Sequence, residues 1–186
     1  MSTSKTYDLF GGAITVTLPS NLIDASDLRQ VPDTQEVLLS PESEVSVVVE
    51  ILERVEPNDA HEVAKFHFDS LAHDNDVGTH PEAATIQRIA IPTPSEPISP
   101  LVLSVLHGTQ LVPKFNRINP DTVKLFLAVY RVHEKNIDVV LVFNVPVQAE
   151  KEGSAVPFGG EKYVAWVNAF EEATRTFKIV DYGLFA

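Results

Sequence analysis

Apolar residues recur along the chain with two different periods, and each period predicts one kind of element. A helical period predicts a first helix that follows the capping residue Asp59 and ends near Asp74, and a second helix at residues 161–177. Trp166 lies on the apolar stripe of the second helix, so we expect it in the core. Dense or alternating apolar runs predict strands at residues 7–10, 13–18, 36–39, 45–52, 85–91, 101–111, 123–133 and 137–147.

The short connections between these strands favour an antiparallel sheet. Gly11 and Gly12 suit a tight hairpin turn, because glycine tolerates positive φ, and residues 134–136 have the length of a hairpin connection. Residues 45–52 are apolar at nearly every position, which predicts a strand covered on both faces. Prolines within residues 92–100 predict an extended loop. The predicted fold class is α+β, an antiparallel sheet with helices packed against it, in a single domain of residues 1–186.

Composition narrows the protein class only modestly. The chain is 44% apolar and 22% charged, as is ordinary for a soluble globular protein. It contains no run of eighteen apolar residues and no secretory leader pattern, so we expect neither a membrane partner nor secretion. Cysteine is absent, which excludes a disulfide framework and a thiol nucleophile. We expect a monomer located in the nucleus, the cytoplasm or both.

The net charge of −12 comes from about one third of the chain. Residues 24–82 contain fifteen acids and three bases, whereas the remaining residues contain eleven of each. Nucleic acid is a poor partner for such a chain, because phosphate contacts need clustered Lys and Arg. A basic protein surface suits it better. A solvated acidic face that only keeps the protein soluble explains the same charge, and this alternative stays open.

No motif typical of an enzyme or a metal site is present. His61, His67 and His73 are spaced six residues apart, which on a helix points successive rings away from one another. Neither glycine pair is followed by the Lys and Ser or Thr of a phosphate-binding loop, and no nucleophile elbow occurs. We therefore expect no bond-breaking chemistry, no metal and no cofactor.

The segment of residues 23–37 is the most informative part of the acidic third. Its four acids cannot be buried without partners, so we expect the segment at the surface. Asp33 and Glu36 have the spacing of a helix capping box, but the residues after Glu36 do not continue a helix. In a turn, the same spacing lets both carboxylates face solvent on one side and bind a cationic partner.

Several blocks of this sequence resemble one known family. They are L-F-G-G-A-I at residues 9–14, I-D-A-S-D-L-R at 23–29 and V-P-D-T-Q-E-V at 31–37, with weaker matches at 48–53, 66–69, 138–146 and 181–185. Together they resemble the Ran guanine nucleotide release factors, the Mog-type nuclear import proteins. Residues 75–121 and 148–160 show no such match.

The resemblance implies both a fold and a function. The implied fold is a curved antiparallel sheet between helices, an α/β/α sandwich like that of the photosystem PsbP proteins. The implied function is to bind the GTPase Ran, GTP-loaded or nucleotide-free, and to promote release of its nucleotide in support of nuclear import. Carried over residue by residue, Asp33 and Glu36 contact Ran, with Gln35, Arg29 and Asp27 as neighbours. Replacing Asp33 and Glu36 together by Lys is then expected to abolish Ran capture and leave the fold intact.

Two alternatives from other classes stay open. A pure acidic adaptor would bind a basic partner through the charge of residues 24–82 without any effect on nucleotide exchange. A hydrolase or ligand-binding protein with a PsbP-like fold rests on fold analogy alone.

Overall fold

The computed structural model describes residues 3–93 and 102–186, so most of the predicted proline-rich loop lies outside the described residues. Two α-helices occur in these ranges, α1 (Ala60–Asp74) and α2 (Glu161–Thr176). The strands are β1 (Ser4–Leu9), β2 (Ile14–Pro19), β3 (Ile23–Asp24), β4 (Gln35–Leu39), β5 (Ser46–Glu53), β6 (Ala84–Ala90), β7 (Val102–Val112), β8 (Asp121–Val132), β9 (Ile137–Gln148) and β10 (Lys178–Ile179).

Seven strands form an antiparallel sheet in the order β3-β4-β5-β9-β8-β7-β6, and β1-β2-β10 form a second, smaller sheet. α1 packs on one face of the larger sheet, whereas α2 and the smaller sheet pack on the other. The predicted α+β class and α/β/α sandwich are confirmed. β3 and β10 were not predicted, because strands of two residues are too short to show a period.

The predicted capping residue of α1 and the predicted apolar stripe of α2 are both present in the structure. The carboxylate of Asp59 accepts hydrogen bonds from the N–H groups of His61 and Glu62, at 3.0 and 3.1 Å, and so caps α1. The stripe of α2 packs into the core, and the ring of Trp166 meets that of Phe143 edge-on at a centroid distance of 6.1 Å. Both helix predictions are confirmed.

α1 lies close to β7 because Gly108 has no side chain. A Cβ atom at Gly108 would lie 2.4 Å from Cε2 of Phe68, which is buried on the sheet-facing side of α1. Real carbon atoms do not approach so closely without bond formation, so any other residue would push the helix away. The spacing between α1 and the sheet therefore depends on this one glycine.

β5 differs from its prediction on one face. Val47 and Val49 are buried on the α2 side, as predicted. On the other face Val48 and Glu50 are only half-buried, because α1 packs over β6, β7 and β8 rather than over β5. The expectation of a strand covered on both faces is wrong for this face.

A buried ion pair joins the paired strands β8 and β9. The carboxylate of Asp138 accepts from Nε of Arg131 at 2.7 Å and from Nη2 of Arg131 at 2.8 Å, and both residues are buried. Nε2 of His67, on α1, lies 3.0 Å from Oδ2 of Asp138. Burial alone would raise the pKa of the Asp138 carboxyl, but the hydrogen bonds from Arg131 and His67 outweigh it and hold that pKa well below its usual range.

The same ion pair fixes the chain that leads into α1. Arg131 donates to the carbonyl oxygens of Val55 and Pro57, at 3.2 and 2.7 Å. The N–H of Val55 donates to Oδ2 of Asp138 at 3.2 Å. The orientation of α1 on the sheet is thus tied to a single buried charge.

We predict that Asp138→Asn destabilises the protein by about 3–5 kcal/mol, because it leaves the Arg131 guanidinium buried without its counter-charge. Urea unfolding at pH 7 measures this change. Asp69→Asn is the control: Asp69 pairs with Lys65 at 2.7 Å, but both side chains are about half exposed, so the loss is expected to stay below about 1 kcal/mol. Equal losses in the two variants would contradict the assigned role of Asp138.

The low pKa of Asp138 also predicts how stability depends on pH. Because this pKa is lower in the folded state than the ordinary value of about 3.9, the ionised carboxylate stabilises the fold above about pH 4. That contribution is lost as the pH falls through the folded-state pKa. The free energy of unfolding should therefore fall more steeply between about pH 4 and pH 2 in the parent protein than in Asp138→Asn. Parallel curves would contradict this.

Candidate functional site

The acidic segment of residues 23–37 follows the outer edge of the larger sheet. β3 leads into a 3-10 segment, Ala25–Asp27, which Asp24 caps by accepting from the N–H of Ser26 at 2.8 Å. Leu28 follows with 67% of its surface exposed. The segment then turns into β4, which pairs with β3 on one side and with β5 on the other.

Asp33 lies at the tip of the turn that precedes β4. The carbonyl oxygen of Pro32 accepts from the N–H of Gln35 at 2.9 Å, which places Asp33 and Thr34 in the middle of the turn. β4 starts directly afterwards, so no helix begins here and the capping-box interpretation is wrong. The Asp33 side chain is exposed. It accepts no hydrogen bond from any other part of residues 3–93 or 102–186.

Glu36 is held by the hairpin between β1 and β2. Its Oε1 atom accepts from the backbone N–H of Phe10 at 2.6 Å. Phe10 has a φ of 51°, and Gly11 and Gly12 have φ values of 64° and 92°, so the glycine pair lets the chain turn and present this N–H. The glycine pair is thus conformational, as expected, and it positions one of the two predicted contact residues.

The other predicted site residues surround this pair. Gln35 donates from its side chain to Oε1 of Glu50 on β5 at 2.8 Å. Arg29 and Asp27 are exposed, and Arg29 donates weakly to the carbonyl oxygen of Gln30 at 3.4 Å. The structure therefore places Asp27, Arg29 and Asp33 at the surface, whereas Gln35 and Glu36 are half-buried in β4.

The contact of Glu36 with Phe10 changes one expectation. A lysine at residue 36 would place an ammonium group beside the Phe10 N–H, where both groups are donors. The double replacement of Asp33 and Glu36 by Lys is then not neutral for the fold. Of these two acids, only Asp33 can change its charge without breaking a contact within the described residues.

Sequence patterns missed two features of this site. Leu28 is a large exposed apolar residue, but a single leucine among polar residues shows no period. The bond from Phe10 joins residues that are twenty-six positions apart, and only the packing of the smaller sheet against the larger one brings them together. The shared presence of L-F-G-G and Q-E-V in one family was the only available signal.

No group of three or more His, Asp or Glu residues is placed to hold a metal ion among residues 3–93 and 102–186. His61 and His73 are exposed, while His67 belongs to the Asp138 ion pair. None of the helices in the described part of the chain combines the length and the apolarity needed to span a bilayer.

Comparison with known proteins assigns the family. A family model described as "Ran-interacting Mog1 protein" matches residues 7–146, which are 140 of the 186 residues. The chain belongs to the Mog1 family. The match runs from Tyr7 within β1 to Pro146 within β9 and includes the Asp33 turn, so the resemblance noted in the sequence is confirmed.

Full-length relatives of this Mog1-family chain carry consistent names. A Ran guanine nucleotide release factor from Danio rerio is 31% identical over 184 residues, which cover 95% of this chain and 97% of the relative. The nuclear import protein MOG1 of Saccharomyces cerevisiae is 32% identical over 201 aligned positions, covering 98% of this chain and 85% of the relative.

Solved structures agree with the fold. The crystal structure of the Saccharomyces cerevisiae Ran-binding protein Mog1p matches over 100% of both chains, with a TM-score of 0.76 and 27% identity. A solved point mutant of the protein Mog1 matches 99% of this chain with a TM-score of 0.75 and 26% identity.

We predict that the two acids differ in their effect on stability. Glu36→Ala should lower the free energy of unfolding by about 1–3 kcal/mol, because the half-buried N–H of Phe10 loses its acceptor. Asp33→Ala serves as the matched control and should change it by less than about 0.5 kcal/mol, since Asp33 is exposed. Urea unfolding of the two variants measures the difference, and equal values would contradict the positioning of Glu36 by the hairpin.

Proposed function

We propose that this chain binds the small GTPase Ran and promotes release of its guanine nucleotide, as a factor in nuclear protein import. The observation that carries the proposal is the exposed Asp33 turn with Glu36 fixed beside it. This acidic turn belongs to a Mog1-family chain whose relatives over nearly its whole length are named Ran guanine nucleotide release factor or nuclear import protein.

The proposed mechanism is linkage between two binding equilibria. A partner that binds nucleotide-free Ran more tightly than loaded Ran must weaken the nucleotide by the same factor. A tenfold weakening requires about 1.4 kcal/mol of differential binding. Binding energy alone drives this exchange, so no bond-breaking chemistry is involved.

The geometry suggests distinct roles for the two acids. Asp33 is free to pair with a Lys or Arg of Ran, and this charge pair contributes to the encounter rate and to orientation. Glu36 has one oxygen engaged by Phe10, and its Oε2 atom makes no hydrogen bond within the described residues. A carboxylate held in this way loses little conformational freedom on binding a basic side chain. Gln35, Arg29 and Asp27 flank the pair.

Further parts of the proposal concern where and in which state the protein acts. It acts as a monomer, in the nucleus and the cytoplasm, on Ran in its GTP-loaded or nucleotide-free form.

The acidic adaptor remains the second candidate, because the excess acids reach beyond the Asp33 turn. Glu82, for example, is exposed just before β6, at the opposite edge of the larger sheet.

We predict that Asp33→Lys reduces the acceleration of nucleotide release from Ran about tenfold, because a cation replaces the carboxylate that meets a basic side chain. The measurement is the release rate of a fluorescent GTP analogue from Ran, with and without the protein. Circular dichroism and urea unfolding should match those of the parent, since Asp33 is exposed and outside the core.

Glu82→Lys is the matched control, since it makes the same charge change within the acidic third. A release factor that uses the Asp33 turn should keep nearly full activity in this variant. An acidic adaptor should instead lose affinity equally in both variants, strongly so at low salt, and should not accelerate release at all. Full activity of Asp33→Lys would overturn the proposed site.

A further inference from the structure

A groove of about 600 Å³ lies on the face of the larger sheet that carries α1. Its floor comes from β5 and β9 and is mostly apolar, with Val48, Leu52, Val140 and Val142. Glu50 lies between Val48 and Leu52 on the same face of β5 and adds one carboxylate to this floor. The groove exists because α1 covers only the β6–β8 side of this face. The half-buried face of β5, which α1 does not cover, forms part of this concave surface.

One wall of the groove is α1, and Phe66 stands on that wall. Phe66 is 46% exposed, whereas its neighbours Val63, Ala64 and Phe68 are buried against the sheet. An exposed aromatic ring beside an apolar floor is an arrangement that buries much area on contact with a partner, and such residues dominate interface energetics.

The rim of the groove is acidic. Glu53 and Asp74 line it, and Lys114 is the one Lys or Arg among the described lining residues. Asp74 is the last residue of α1, where the free carbonyl groups of the helix end add negative potential. Glu44 also lines the groove, but its charge is already paired with Arg117 at 2.9 Å. The groove therefore complements a segment that is basic and apolar.

The groove starts at the Asp33 turn. The carbonyl oxygen of Thr34 accepts from the N–H of Ile51 at 2.9 Å, so the turn lies beside the part of β5 that carries Leu52 and Glu53. Gln35 and Glu50, which bond to each other, both line the groove. The two surfaces are continuous along β4 and β5.

The size of a specific interface supports a joint role. A stable protein complex buries about 800 Å² on each partner and centres on well-packed apolar or aromatic anchors. The segment around the Asp33 turn provides charge and one exposed leucine, Leu28, but no aromatic anchor. The adjoining groove provides an apolar floor and the ring of Phe66.

We infer that the groove is the second part of the Ran interface and takes a segment of Ran in which basic side chains flank an apolar one. This inference rests on the proposed function. Asp33 then sets the register at one end, while Phe66 and the β5–β9 floor supply most of the buried apolar area. Glu36 points to the opposite face of β4, toward Phe10, and takes no part in the groove.

The test measures the affinity of Ran, loaded with a fluorescent GTP analogue, for two groove variants. Phe66→Ala should weaken binding about tenfold with little dependence on salt, because it removes an apolar contact. Glu53→Lys should weaken binding about tenfold at low salt and less at high salt, because it reverses an exposed charge. Phe158→Ala and Glu82→Lys are the matched controls, and both should bind as the parent does.

The outcomes separate the inference from the function on which it rests. If both groove variants bind within about twofold of the parent while Asp33→Lys is defective, the groove inference fails and the proposed function stands. If Asp33→Lys also binds normally, the proposed site at the Asp33 turn fails as well. The proposed function itself fails only if the parent protein does not bind Ran. If only Glu53→Lys loses affinity for Ran, the groove contributes surface charge and no apolar contact. This result would overturn its docking role. Self-association of the parent that Phe66→Ala abolishes, measured by sedimentation, would assign the groove to a second copy and also overturn the inference.

Discussion

The charged carboxylate of Asp138 is fully buried where β8, β9 and α1 meet. The arrangement of these three elements depends on the hydrogen-bond donors that surround this carboxylate. Asp138 needs donors on every side, because an unpaired buried charge is strongly destabilising. Arg131, His67 and the N–H of Val55 meet that need. These donors come from a strand, a helix and the chain that leads into the helix. One charge therefore ties the orientation of α1 to the sheet, and α1 in turn forms one wall of the groove.

The acidic motif combines two different kinds of carboxylate. Asp33 is in a turn and is solvated, so it is free to respond to an approaching cation. Glu36 is in a strand and is fixed by a hydrogen bond from the first hairpin. The glycine pair at residues 11 and 12 is thus connected to the acidic motif through a contact between the two sheets. This connection gives a physical reason for finding both sequence blocks in the same family.

The long elements were predictable because their patterns are long. β7, β8, β9 and α2 agree with the predicted ranges to within two residues at each end. α1 begins directly after its predicted cap, Asp59, and ends at Asp74, as predicted. The position of Asp33 in a turn followed from the failure of the later residues to continue a helix. The contact from Phe10 to Glu36 and the Asp138 network could not be predicted, because no period relates residues that are so far apart. The groove was missed for another reason. The apolar run of β5 indicates burial on both faces, but it does not specify which face a helix leaves open.

The glycine at residue 108 has a consequence for this opening. α1 packs closely on β7 because residue 108 has no side chain. β7 is two strands away from β9, which forms part of the groove floor. The height of the helix above the sheet, and with it the aperture of the groove, is therefore determined at a position that lies outside the groove lining. A side chain at residue 108 would therefore change the width of the groove without changing any residue that lines it.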